Sequence, residues 1–123
     1  MDSETQNLID FARLLADAGR EICLEAMAGE RVVTFKPDTS MVTETDLAIE
    51  SRLREMIEKE FPGHGIFGEE FGNRDTDASH VWVLDPIDGT TAFIAGIPVY
   101  GTLIGLARGG RPYIGVIDHP ASN

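Results

Sequence analysis

The residue pattern predicts an α+β fold in which a pair of helices covers a largely antiparallel sheet. Two long segments repeat their apolar residues at helical spacing, and short β-branched runs dominate the rest of the chain. A Gly-Gly pair also separates two of those runs, as the turn of a hairpin would. Helices grouped ahead of a run of strands favour a segregated layer over alternating βα units.

The first helix is expected from about Glu4 to Ala28. Leu8, Phe11, Leu15, Ala18, Ile22 and Ala26 recur at three- and four-residue steps, and Gly29 suits the stop. Arg31 to Phe35 is short and β-branched, hence a strand. Lys36 to Ser40, "KPDTS", breaks regularity with proline and turn-forming residues. A second helix starts near Thr43 or Thr45 and runs to about Glu60, with Ile49, Leu53, Met56 or Ile57, and Phe61 as its stripe. Pro62 and Gly63 end it.

"GIFG" (Gly65 to Gly68) reads as a buried strand that delivers Glu69 and Glu70 at its end. Asn73 to His80 is a polar loop, and "VWVL" (Val81 to Leu84) is the next strand. Val99 to Ala107 and Pro112 to Asp118 then flank Gly109-Gly110 as a hairpin. The expected order is helix, strand, helix and four strands, within one domain.

The 123 residues are 42% hydrophobic and 25% charged, enough for a real core and far from the composition of a disordered chain. No apolar run approaches the roughly 20 residues of a membrane span, and no secretory leader is recognised. Net charge is −11, which argues against nucleic acid as a partner. A single cysteine, Cys23, fits a reducing compartment and reads as a packed thiol; cytoplasm is the expected setting. His64, His80 and His119 lack ligand spacing.

Four acids fall at the ends of expected elements: Asp46, Glu69, Asp85 and Asp88. Carboxylate and carbonyl oxygens are what Mg²⁺ prefers. In a turn tightening into a helix, Asp85 and Asp88 would point the same way, with the Ile87 carbonyl a further donor beside Pro86. Gly89, Thr90 and Thr91 would follow as a helix start or nest whose amides bind phosphate oxygens. Such a site reconciles an acidic chain with an anionic substrate. Each piece also has a plainer reading. Asp-Pro and Asp-Gly are ordinary turn dipeptides, paired glutamates usually face solvent, Lys36 is by default a surface lysine, and Asp46 suits a capped helix start after Thr43.

In combination, "KPDTSMVTETD" (Lys36 to Asp46), "GEE" (Gly68 to Glu70) and "WVLDPIDGTTAF" (Trp82 to Phe93) resemble the inositol monophosphatase superfamily of metal-dependent sugar phosphatases, in that family's order. The resemblance implies hydrolysis of a small phosphorylated substrate by a metal-activated water, with two or three Mg²⁺ ions. By residue, it implies Glu69, Asp85, the Ile87 carbonyl and Asp88 as metal ligands. It pairs Thr90 with Asp46 in activating the water and places Glu70 close by. Gly89, Thr90 and Thr91 amides would hold phosphate, and Lys36 matches a lysine near the site's waters. The continuation "FIAGIPVYGTLIGL" (Phe93 to Leu106), with Ala92, resembles the histidinol-phosphate phosphatase branch. Inositol-1-phosphate or a nucleotide-type phosphate is the alternative substrate.

The resemblance covers residues 1–123 as the N-terminal half of a layered α/β sandwich. The family's later "WDxAA" motif and its substrate-facing wall are missing. The sheet's far face is therefore expected to be apolar and uncovered, and a metal- or phosphate-binding fragment without turnover is the competing expectation. Homodimers are implied by the family.

Overall fold

The computed structural model describes residues 2–27, 33–35, 41–88 and 101–118. In order, the elements are α1 (Ser3–Met27), β1 (Val33–Phe35), β2 (Met41–Thr43), α2 (Glu44–Glu60), β3 (Gly65–Gly68) and β4 (Gly72–Arg74). The chain continues as β5 (His80–Asp88), β6 (Gly101–Arg108) and β7 (Arg111–Asp118). The two helices pack on a five-stranded sheet of order β4-β3-β5-β6-β7, while β1 and β2 form a separate antiparallel pair. Only β3 and β5 run parallel in the larger sheet. The expected helix pair on a mostly antiparallel sheet is what forms.

Helix α1 begins where Asp2 caps it, its Oδ1 accepting the Thr5 amide at 2.7 Å. That bond also holds the Asp2 carboxyl below the ordinary aspartate range. Leu8, Phe11 and Leu15 enter the core as the stripe predicts. Further along, Ala18, Ile22 and Ala26 pack at its margin, whereas Ala12, Ala16 and Cys23 are buried. The deepest line of α1 has therefore rotated toward its smaller residues, which let the helices approach. At Gly19 an added Cβ would lie 3.4 Å from Ile49 Cγ2 of α2.

From α2, Ile49, Leu53 and Ile57 meet these residues, and the sheet contributes Ile66, Trp82, Leu84, Ile104 and Leu106. Each fully buried aliphatic side chain contributes about 1.5–3 kcal/mol. Phe11 stands edge-on to both Phe61 and Trp82, with ring centroids 5.0 and 5.5 Å away. Across the layer, Arg20 of α1 pairs with Asp118 of β7 at 2.9 Å. The Gly109-Gly110 turn has φ of 60° and 78°, the doubly left-handed geometry that a tight hairpin needs.

Three expectations change. Strand β2 precedes α2, where only the loop and helix start had been expected. Residues Gly72–Arg74 are a strand on the sheet edge rather than loop, so the polar loop shortens to Asp75–Ser79. Most consequentially, Asp85 to Asp88 do not tighten into a helix-like turn. They continue β5 through a register shift in which Asp85 opposes Leu103 and Asp88 opposes Gly101.

Among the described residues, no helix is long and apolar enough to cross a membrane.

Candidate functional site

The shift in β5 is a one-residue bulge, since three steps along β5 match two along β6. Pro86, which cannot donate to a ladder, falls inside it, where such a residue is tolerated. In an unbroken strand, positions three apart would fall on opposite faces. The bulge absorbs the odd residue and brings backbone positions 85 and 88 into the same phase.

Along β5, Trp82 and Leu84 are buried toward the helices and Val83 is exposed on the other side. Along β3, Ile66 is buried and Phe67 is exposed. Gly68 pairs with Leu84 as the last rung of the parallel ladder, so Glu69 and Asp85 follow as neighbours where the β3–β5 pairing ends. Both line one open cleft of about 450 Å³ on the sheet face away from the helices, together with Phe67, Val83, Leu103 and Ile117. The cleft is apolar apart from this acidic end.

Asp46 occupies the first turn of α2 and is only 1% exposed, far more buried than a plain helix-start residue needs to be. One helical turn on, Glu50 is fully buried as well. Its Oε1 accepts the Glu70 amide at 2.8 Å, and its Oε2 accepts the Phe71 amide at 2.8 Å and Arg54 Nε at 3.0 Å. Glu50 was not among the residues singled out from the sequence. The available signal was its phase, because it lies beside Ile49 and Leu53 on the inward side of α2 rather than on the polar side.

The structure thus brings Glu69 and Asp85 to one cleft and ties Glu70, by its amide, to the helix carrying Asp46. Backbone at Ile87 and Asp88 lies in β5. Lys36, Gly89, Thr90 and Thr91, including the expected phosphate nest, lie outside the described residues. Among the described residues no three His, Cys, Asp or Glu side chains form a group able to hold a metal ion. Among the described residues, the polar side chains lining the cleft are the carboxylates of Glu69 and Asp85. That donor chemistry fits a hard cation such as Mg²⁺ and not a thiolate-seeking metal.

Among the described residues the histidines form no competing metal centre. His64 lies between Phe61 and His80, at centroid distances of 4.5 and 4.6 Å, and accepts the Trp82 indole N–H at 3.0 Å. His119 is outside the described residues.

The inositol monophosphatase family's sequence profile matches residues 4–123, and the chain belongs to that family. The chloroplastic bifunctional phosphatase IMPL2 of Arabidopsis thaliana is 41% identical over 97% of this chain and 35% of its own length. A histidinol-phosphatase of Mycobacterium tuberculosis is 45% identical over 72% of this chain and 34% of its own. Among solved structures, an inositol monophosphatase from Zymomonas mobilis superposes with a TM-score of 0.78 at 41% identity, covering 97% of this chain and 46% of that one. The chain spans less than half the length of each of these relatives.

Proposed function

We propose that this chain contributes most of the active site of a Mg²⁺-dependent phosphomonoesterase whose substrate is histidinol phosphate. The observation that carries the reading is the placement of Glu69 and Asp85 side by side where the parallel β3–β5 ladder ends, lining one cleft. In this reading Glu69, Asp85, Asp88 and the Ile87 carbonyl hold the cation. Asp46 and Thr90 orient and activate the attacking water, with Glu70 beside them. The amides of Gly89, Thr90 and Thr91 bind the phosphate, and Lys36 stands at the edge of the site. Bound Mg²⁺ supplies Lewis-acid activation of water and charge neutralisation on the phosphoryl group. The residues 1–123 are read as the N-terminal portion of a longer enzyme, in a cytoplasmic setting.

The substrate choice rests on "FIAGIPVYGTLIGL" and on the similarity to the M. tuberculosis histidinol-phosphatase. Inositol 1-phosphate is the second reading, favoured by the 41% identity to the Z. mobilis enzyme over nearly the whole chain. The full protein carrying this chain, assayed with Mg²⁺ on both compounds, is expected to show a kcat/KM at least about tenfold higher for histidinol phosphate. The reverse preference would replace the first substrate by the second. Absence of Mg²⁺-dependent hydrolysis of either would leave metal or phosphate binding without turnover as the better description.

A further inference from the structure

We propose that Glu50 is a positioning residue for the cation site, acting through the turn that presents Glu69. The inference rests on Glu69 being a metal ligand, as proposed above.

The residues from Gly68 to Gly72 link β3 to β4, and Glu69 to Phe71 form the turn between them. Its geometry is held from α2 at three points. The Glu50 carboxylate takes the Glu70 and Phe71 amides, one on each oxygen. The Arg54 guanidinium then donates through Nε to Glu50 Oε2 and through Nη2 to the Gly72 carbonyl. Gly68 completes the fit: a Cβ there would come within 2.5 Å of Glu50 Oε2. Only a residue without a side chain lets the carboxylate reach past the strand end to the turn amides.

A fully buried carboxylate is a poor choice for stability alone, because its desolvation cost often exceeds what its ion pair returns. Two directed acceptors on consecutive amides do what an apolar side chain cannot. They fix the rotation of the peptide planes on either side of Glu70 and thereby the exit direction of Glu69. Asp46 sits one turn earlier on the same buried side of α2. A single rigid helix therefore sets the position of a proposed water-orienting acid directly and of a proposed metal ligand through Glu50. Outer groups of this kind typically change metal affinity by tenfold to a hundredfold.

The test uses the full protein with Mn²⁺ as the probe, titrated by calorimetry, alongside Mg²⁺ activation curves. Glu50→Gln puts an NH₂ group against one of the turn amides, and Arg54→Met removes the guanidinium clamp while leaving the carboxylate. Glu69→Gln serves to test the ligand role itself. We expect Glu69→Gln to weaken Mn²⁺ binding strongly and Glu50→Gln to weaken it about tenfold to a hundredfold. In Glu50→Gln, kcat should largely return at saturating Mg²⁺, the substrate KM should barely move, and the Glu70 and Phe71 amides should exchange faster. Arg54→Met should shift Mn²⁺ affinity severalfold in the same direction. A purely structural role predicts a lower melting temperature with unchanged metal half-saturation, and that result in Glu50→Gln, with Glu69→Gln weakened, overturns the inference. Should Glu50→Gln fail to fold, unchanged Mn²⁺ affinity in Arg54→Met overturns it alone. Wild-type Mn²⁺ affinity in Glu69→Gln defeats the ligand assignment and the inference with it.

Discussion

Asp85 and His64 are the two residues whose surroundings make the sharpest individual predictions. Asp85 borders the cleft at the bulge and lies outside the buried core, so its chemistry can be changed with little effect on packing. Asp85→Asn is expected to lower Mg²⁺-dependent turnover of the full protein by more than about a hundredfold, beyond the usual cost of an outer-shell change. Its melting temperature should stay near that of wild type. Turnover close to wild type at saturating Mg²⁺ would remove Asp85 from the ligand set.

His64 is held below the ordinary histidine range, first because burial penalises its charged form and then because of His80, with Glu4 pulling weakly the other way. Its Nδ1 also accepts from Trp82, a bond that protonation would destroy. A depressed folded-state pKa makes its stability contribution complete above the unfolded value of 6.5 and lost as pH falls through the lower folded value. His64→Phe keeps a ring in the stack but leaves the indole N–H unpaired, costing about 1–3 kcal/mol at neutral pH. Between about pH 7.5 and 5.5 the wild-type melting temperature should fall more than that of the variant. Equal slopes would show that folding does not shift the His64 pKa.

Among the elements, β4 and β5 explain why some of the architecture is hidden in the sequence and some is plain. Periodicity exposes α1, α2 and the β6–β7 hairpin because each buries a continuous stripe or carries its own turn. "GNR" has no strand propensity, and β4 exists through pairing with β3 and through Arg74. Arg74 bonds Glu58 at 2.8 Å and the His64 carbonyl at 3.2 Å. The bulge in β5 is likewise invisible locally, because an Asp-Pro step reads as a turn until β6 supplies a ladder for it. For the hairpin, Gly110→Val forces a β-branched residue to a φ near 78°. Urea unfolding should show a loss of about 1–2 kcal/mol. No measurable loss would mean that the turn readily adopts another geometry.

For the molecule as a whole, the helices cover one sheet face and the other stays open among the described residues. Phe67 and Ile117 are 50% and 65% exposed there, and Val83 lies between them. A contiguous apolar surface of this kind drives association. The purified 123-residue chain is expected to bind a hydrophobic dye and to self-associate with rising concentration on size-exclusion, despite its charge of −11. Phe67→Ser with Val83→Thr should reduce both effects without changing the far-ultraviolet circular dichroism. A monomeric, dye-silent parent chain would show that this face is shielded.

By itself the sequence determined the layer arrangement, the family and the acidic residues at element ends, because these follow from spacing and residue type along the chain. The tertiary structure decided how those acids meet. Glu69 and Asp85 become neighbours only when β3 and β5 pair in parallel, and positions 85 and 88 come into phase only through a bulge against β6. Glu50, an unremarkable glutamate in a helix, becomes the holder of the "GEE" turn once α2 docks behind it. Each of these is a relation between segments distant in the chain, set by ladder register and packing that no local pattern encodes.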